Sequence, residues 1–492
     1  MRLSRPLSRP LSRCLSRPLS RRQLLQTTVA VGASLTLGGC ATTASTRKAM
    51  PANHPIRLAV IGINGRGNQL LKSFRALAGV QIVALCDVDP SVLALRMGEA
   101  TKLGEKPVGL SDPRQVFDRS DVDAVVIATP NHTHSVLGSW AMQAGKDVYL
   151  EKPVSHDIDE GLRLIAAQKR TGRIIAAGTQ NRSDVGLRAA FADLHAGKFG
   201  AIEGVHGFCF RDRATIGKAP EPIKPPAGLH YDLWLGPAAD EPIRRPKFHY
   251  DWHWVWNTGN GDLGNQGPHE LDMACWALGD LGYPEEAMGI GGRFAWNDAG
   301  ETANLMTAWY RFKNGIPLVF EVRNLPPMDK TKGAWNGLDK PAIAVMCAQG
   351  TLQAWRGGAV LKDAAGKTLQ EWKGDGGETH QANFIDAVRS GRAQDLHAPL
   401  EKSVVSAGLA HVGNTSLRLG ARGDAAAATT AAKGRLLLDE HVDRMANVLR
   451  NYQIDLAQTP FSIGPALRIN GATGLVIGDH AVKANALSLI HI

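Results

Sequence analysis

Apolar residues recur along this chain in two different rhythms. In the first, Ile56–Ile61, Val80–Cys86 and Asp123–Thr129 are nearly unbroken apolar runs of strand length, and Leu70, Leu71 and Phe74 between them fall at helical spacing. Unbroken runs alternating with helical segments predict parallel strands buried on both faces and covered by helices. From Ile202 onward the segments Gly204–Phe210, Leu305–Phe312 and Pro317–Val322 are β-rich and alternating, with helical patterns at Leu187–His195, His380–Arg389 and around His411–Asn414. The expected fold is an α/β domain with a parallel sheet followed by an α+β domain with long antiparallel strands.

The ends follow neither rhythm. Ser recurs at positions 4, 8, 12, 16 and 20, each followed by Arg, a low-complexity pattern with no face to bury. Ser20-Arg21-Arg22-Gln23-Leu24-Leu25 then precedes a mild apolar run, the form of a twin-arginine (Tat) export signal, and Leu37-Gly38-Gly39-Cys40 resembles a lipobox in which Cys40 would be acylated. The expected organisation is a signal over 1–40, a linker over 41–55, an α/β domain over 56–178, an α+β domain over 179–378, and C-terminal helices over 379–486. Residues 487–492 read as translated sequencing-adapter sequence. The expected location is the periplasm or cell envelope.

Composition changes this picture little. Hydrophobic residues are 44% and charged residues 21% of 492, enough apolar material for a core. The formal charge is +10, but residues 1–39 hold seven Arg and no acid, so the remainder carries 10 − 7 = +3 and has no basic cluster of the kind nucleic acid needs. Cys86, Cys209, Cys275 and Cys347 stand singly in apolar stretches, which predicts buried free thiols and no metal site.

The first strand ends in Gly62-Ile63-Asn64-Gly65-Arg66-Gly67, a helix pattern follows, and the second strand ends in Asp87, 25 residues past the first Gly. This is close to a dinucleotide fingerprint: Gly62 for the turn, Gly67 for close helix–strand packing, a helix N-terminus for the pyrophosphate, and an acid for the ribose. Asp87 would repel a 2′-phosphate and so favours NAD over NADP. Asn64 departs from the usual second Gly, and a tolerance for left-handed backbone is expected of it. Pro130 and Pro153 mark loops at the carboxyl edge of the sheet, where ligands of such folds bind. That places Lys152 at the mouth of the cofactor crevice.

Ala128-Thr129-Pro130-Asn131-His132-Thr133-His134 and Gly145-Lys146-Asp147-Val148-Tyr149-Leu150-Glu151-Lys152-Pro153 resemble the signatures of the Gfo/Idh/MocA oxidoreductases, and the likeness extends over roughly residues 55–485. The resemblance implies a nicotinamide cofactor contacted by Gly62, Asn64, Gly65, Arg66, Gly67, Asp87, Thr129, Pro130, Asn131, His134, Glu151, Lys152 and Gln180. It implies Lys152 and His269 as the catalytic pair, a Rossmann dinucleotide-binding domain over 56–178, an open, mostly antiparallel sheet in a substrate and oligomerisation domain over 179–378, and C-terminal helices over 379–486 that pack back on both. Gly259 to Asp272 is similar to a Gly-rich turn before Asp-x-x-x-His-x-x-Asp, but Asn265 stands where the first carboxylate is usual, so His269 is expected to be a weaker base. Residues 265 and 269 are expected on one helix face.

Trp252, Trp254 and Trp256 alternate beside Gly/Asn-rich turns, which suits either a core strand or a surface on which sugar rings stack. Arg182, Trp254, Trp256, Asn257 and Asn265 are the candidate substrate contacts, with Arg211 and Arg213 as weaker ones. The expected activity is hydride transfer between a sugar or polyol hydroxyl and a tightly held NAD. The alternatives are a redox-neutral NAD-dependent glycosidase working by transient C3 oxidation and a non-catalytic sugar-binding relative. The expected partners are a small sugar or polyol, the Tat machinery, the membrane only through a lipid on Cys40, and further copies of the chain.

Overall fold

The computed structural model describes residues 49–51, 53–325 and 340–487. The expected signal, Cys40, most of the linker and residues 488–492 lie outside them. The elements of the first half are β1 (Ile56–Ile61), α1 (Gly65–Arg75), β2 (Val80–Cys86), α2 (Pro90–Lys102), β3 (Val108–Leu110), α3 (Pro113–Phe117), β4 (Ala124–Ile127), α4 (Asn131–Gln143), β5 (Asp147–Leu150), α5 (Ile158–Thr171) and β6 (Ile175–Ala177). Six parallel strands lie in the order β3-β2-β1-β4-β5-β6, the doubly wound arrangement, with the order of strand addition reversing between β1 and β4. The central strands are apolar throughout because both faces are covered: Ala59, Ile61, Val125 and Ile127 face one core, and Leu58, Val60, Ala124 and Val126 face the other. Asp89 and Asp157 cap α2 and α5 with their carboxylates, and Gly172 closes α5 in the left-handed conformation.

A short 3-10 turn (Gln180–Ser183) leads through α6 (Val185–His195) into β7 (Ile202–Phe210), α7 (Tyr231–Leu235), a second 3-10 turn (Asp251–Trp254), α8 (Gly261–Asn265), α9 (Gly267–Ala277), β8 (Glu286–Gly292), β9 (Leu305–Arg311), β10 (Pro317–Arg323), β11 (Ala342–Cys347), β12 (Gly350–Trp355), β13 (Gly358–Lys362) and β14 (Thr368–Lys373). The last elements are α10 (His380–Ser390), α11 (Leu400–Arg418), β15 (Ala421–Gly423), α12 (Ala425–Ala432), α13 (Leu438–Asn451), β16 (Phe461–Ile463), β17 (Leu467–Ile469), β18 (Val476–Ile477) and α14 (Ala481–Ala486). The second sheet runs β14-β13-β12-β11-β7-β10-β9-β8-β16-β15, with β17 on β8 and β18 on β17; β7 and β10 pair in parallel and the other pairs are antiparallel. Its inner face packs on α6, α9 and α11. On its other face α12 and α13 lay Ala428, Val442, Met445 and Leu449 against Met288, Ile290, Trp309 and Val319.

Helices α10 and α11 return to the first sheet: Phe384 and Val388 join one of its cores, and Leu400 and Val404 the other. Among the described residues, no helix is long and apolar enough to cross a membrane, and the four cysteines are buried and free.

One junction corrects the sequence expectation. Arg182 is not a substrate contact. It is buried, with Nε 2.8 Å from Asp272 and Nη2 2.8 Å from Asp280, and its guanidinium lies over Trp276. Two carboxylates on and just after α9 draw it inward, so it fastens that helix to the Gln180 turn. Removing one member of a buried pair strands the other, at a cost of about 3–5 kcal/mol. Arg182→Ala is therefore expected to unfold at markedly lower urea, and a loss under about 1 kcal/mol would show that the junction tolerates an uncompensated Asp272.

Candidate active site

The carboxyl ends of β1, β4 and β5 open into a cavity of about 440 Å³. Around it lie Gly62, Asn64, Gly65, Arg66, Asp87, Thr129, Pro130, Asn131, His134, Glu151, Lys152, Gln180, Asn265 and His269. The turn that begins it is built from close backbone approaches. Gly62 has φ +76°, and a Cβ there would stand 2.8 Å from the Ala128 carbonyl oxygen; a Cβ on Gly67 would stand 1.7 Å from the Gly62 carbonyl oxygen. Gly67 therefore holds α1 against β1 and does not itself line the cavity.

Asn64 does not draw on its tolerance for left-handed backbone. Its φ is −93°, its side chain accepts from Gly65 N at 2.9 Å as the cap of α1, and the positive φ of +42° falls on Gly65. The cap uses Asn where the fingerprint has Gly because the side chain supplies the acceptor that a helix start needs. The first turn of α1 holds no acid, so its free N–H groups face the cavity unopposed.

Asp87 accepts from Ile63 N at 2.9 Å and Asp89 N at 3.0 Å, which fixes its carboxylate at the cavity wall, and burial raises its pKa. His134 sits between the Pro153 and Thr129 carbonyls at 2.6 and 2.7 Å, tying the loop after β4 to the loop after β5; burial lowers its pKa, so it donates to one of them. The Asn131 amide nitrogen is buried at the cavity wall with no hydrogen-bond partner. This orphan donor, the glycine cradle and the open helix start fit a dinucleotide.

At the other end, the buried Glu151 carboxylate receives Arg66 Nε at 2.9 Å, Gln180 Nε2 at 3.2 Å and its neighbour Lys152 N at 3.2 Å. Burial opposes its ionisation, but Arg66 and Lys152 outweigh burial and hold it below the ordinary carboxyl range. Lys152 Nζ donates to the Asn265 carbonyl at 2.6 Å and lies 3.4 Å from its side-chain oxygen. Burial pushes the Lys152 ammonium down, with Glu151 opposing. His269 is half-buried, its Nδ1 has no partner, and burial, Lys152 and Arg66 together push its pKa well down. The ammonium and the imidazole thus share one cavity, and the imidazole is neutral.

Asn265 and His269 do not share one helix. Asn265 ends α8, Gln266 joins the two segments, and His269 lies in the first turn of α9 with Pro268 beside it. Both still face the cavity. The tryptophan expectation is corrected more strongly: a 3-10 turn over Asp251–Trp254 and a further turn holding Trp256 replace a strand, and the three rings diverge. Trp252 stacks on His253 at 3.6 Å and lines the cavity; Trp254 is buried under Arg213, and Trp256 lies beneath Arg418. Asn257 holds Ala239 through both its amide atoms and lies outside the cavity. Arg213 forms a two-point pair with Asp262, and Arg211 donates to Gln266, so neither reaches it. Arg356, in the β12–β13 turn, lines the cavity, and its only sequence signal is the Arg-Gly-Gly of that turn.

Away from the cavity, the sequence reading found no metal-like cluster, yet His206, Glu321 and His441 bring donor atoms within 4.8 Å of one another. Arg323 and Arg444 also contact Glu321, at 2.7 and 3.5 Å, and the His206 hydrogen bond, with Arg323 beside it, outweighs burial and holds the carboxylate charged under α13. With two guanidiniums already on the carboxylate, the cluster is a buried ion-pair network.

Two family models match the chain: the NAD-binding Rossmann fold of the GFO/IDH/MocA oxidoreductase family over residues 56–179, and the C-terminal domain of that family over residues 238–353. Over those two segments the chain is similar to the Gfo/Idh/MocA oxidoreductases. Among curated proteins it is similar to a "Glycosyl hydrolase family 109 protein" of Solibacter usitatus, 34% identical over 162 residues, 31% of this chain and 37% of that one. It is also similar to "Inositol 2-dehydrogenase 1" of Saccharopolyspora erythraea, 31% identical over 185 residues, 37% of this chain and 54% of that one. The chain thus spans well under two thirds of the length of either. The WlbA dehydrogenase of Bordetella pertussis, solved with NADH and UDP-GlcNAcA, shares the fold with a TM-score of 0.55 at 18% identity, over 73% of this chain and 97% of that one.

Glu270, beside His269, was not singled out from the sequence. It is buried, holds one oxygen on Gln266 Nε2 at 2.9 Å and leaves the other without a partner, and burial pushes its pKa from 4.5 up to about 8. The native carboxyl therefore keeps a proton that the unfolded chain releases near pH 4.5, so stability falls as pH rises between those values and levels off above about 8. A slope of up to about 1.4 kcal/mol per pH unit in that window is expected from urea unfolding, and Glu270→Gln should remove this contribution. An unchanged slope in the variant would assign it to another group.

Proposed function

We propose that this chain is an exported NAD-dependent oxidoreductase that moves hydride between a sugar or polyol CH–OH and its cofactor. The observation that carries this is the sharing of one cavity by the glycine turn, Lys152 and His269. Bound NAD would supply the hydride acceptor, with Asp87 favouring NAD over NADP at the ribose. Lys152 Nζ, aimed by the Asn265 carbonyl, holds the reacting oxygen. His269, neutral at physiological pH, accepts the hydroxyl proton. Glu151 fixes both the Arg66 turn and the Lys152 loop.

A redox-neutral glycosidase is the second reading, favoured by the names of the first curated relatives. A sugar-binding protein without turnover is the third, and a cavity holding both Lys152 and His269 weighs against it. Export by the Tat route, with a lipid on Cys40, belongs to the same proposal: a folded, NAD-loaded protein would leave the cytoplasm and keep its cofactor. The homo-oligomer stays a proposal with it.

Lys152→Met is expected to lower turnover by about 10²–10⁴-fold while leaving NAD affinity within a few-fold. Absorbance at 340 nm with a polyol panel reads net oxidation; release of p-nitrophenol from glycosides without NADH reads the second reading. Full turnover in Lys152→Met would sink both.

A further inference from the structure

The cavity holds one charged group that hydride transfer leaves unused. Arg356 lines it together with Lys152, Asn265 and His269. Arg356 Nε donates to the Gly376 carbonyl at 3.0 Å, which anchors the side chain and leaves the two terminal nitrogens of this exposed residue to whatever enters. Among the described residues, no carboxylate forms an ion pair with it.

The charges around it do not balance. Glu151 is the carboxylate lining this end, and it is already taken by Arg66 Nε, Gln180 and the Lys152 amide. The Lys152 ammonium meets neutral oxygens of Asn265, at a position where a carboxylate would have balanced it. Two cations, an ammonium and a guanidinium, therefore line the same cavity, and the one carboxylate at this end is already hydrogen-bonded to protein groups. A concave site lined by one sign of charge concentrates ligands of the other sign. The guanidinium fork matches a carboxylate in a way that a hydroxyl cannot reproduce.

We propose that the substrate carries a carboxylate, as hexuronates and aldonates do, and that Arg356 binds this group while Lys152 holds the reacting hydroxyl. The proposal rests on the oxidoreductase reading and names its substrate class.

The test is calorimetric titration of the NAD-loaded full chain with D-glucuronate, D-galacturonate and D-gluconate, each beside its neutral partner D-glucose, D-galactose or D-glucitol, and with D-glucuronamide. At least one acid is expected to bind about tenfold or more tightly than its neutral partner. Arg356→Gln is expected to erase that preference, and Arg356→Lys to restore part of it. The proposal is overturned if no acid beats its partner, if a sugar phosphate beats every carboxylate, or if Arg356→Gln weakens acid and amide equally. A parallel loss of NAD affinity in Arg356→Gln would make the residue a cofactor contact and overturn it as well. The two readings fail differently. Neutral polyols oxidised in a Lys152-dependent way, with no acid preferred, sink only this proposal. Acids bound through Arg356 but never turned over sink only the hydride-transfer reading.

Discussion

Glu151 is a carboxylate taken out of water at the end of a buried strand, and the reactive end of the cavity is arranged around keeping it charged. Burying an ion is costly unless it is paired and hydrogen-bonded. Here Arg66 reaches it from the glycine turn, Gln180 from the turn after β6, and the Lys152 amide from its own loop. Three loops that are remote in sequence are thereby drawn to one point. The side of Gly178 is closed to any Cβ by the same carboxylate, at 2.8 Å. The position of Lys152 follows from that of its neighbour.

A second layer of polar residues sets the other half. Asp262 is fully buried, takes both arms of Arg213 and also receives Asn324 and Asn265. Asn265 is thus held from behind by a carboxylate while its main chain meets Lys152. The negative charge that would otherwise stand at 265 lies one step back, neutralised by Arg213. What faces the cavity is a neutral amide, which leaves the ammonium without a countercharge there.

How much of this could be read in advance depended on the physical source of each signal. The parallel sheet was legible because strands buried on both faces must be apolar throughout, and the glycine turn because Gly62 and Gly67 have no room for a side chain. Lys152 and Gln180 were legible through resemblance at strand ends. The tryptophans misled because alternation suggests a strand, whereas a 3-10 turn and the turn after it scatter the same residues in three directions. Arg182 misled because polar residues after a strand end usually face the crevice, and only the fold reveals that Asp272 and Asp280 wait on the far side. Arg356 and Glu270 were invisible for a related reason: one comes from a sheet turn distant in sequence, and the other depends on burial that no local pattern reports.

The helix pair α12–α13 lies beyond the residues matched by either family model. It covers a patch where Met288, Ile290, Trp309 and Val319 would otherwise meet water. Contiguous greasy surface of that kind is what makes folded proteins stick to one another. In this chain the extension acts as a built-in shield, so trimming it back to α11 would yield a molecule prone to clumping, even though no part of the cavity had been touched.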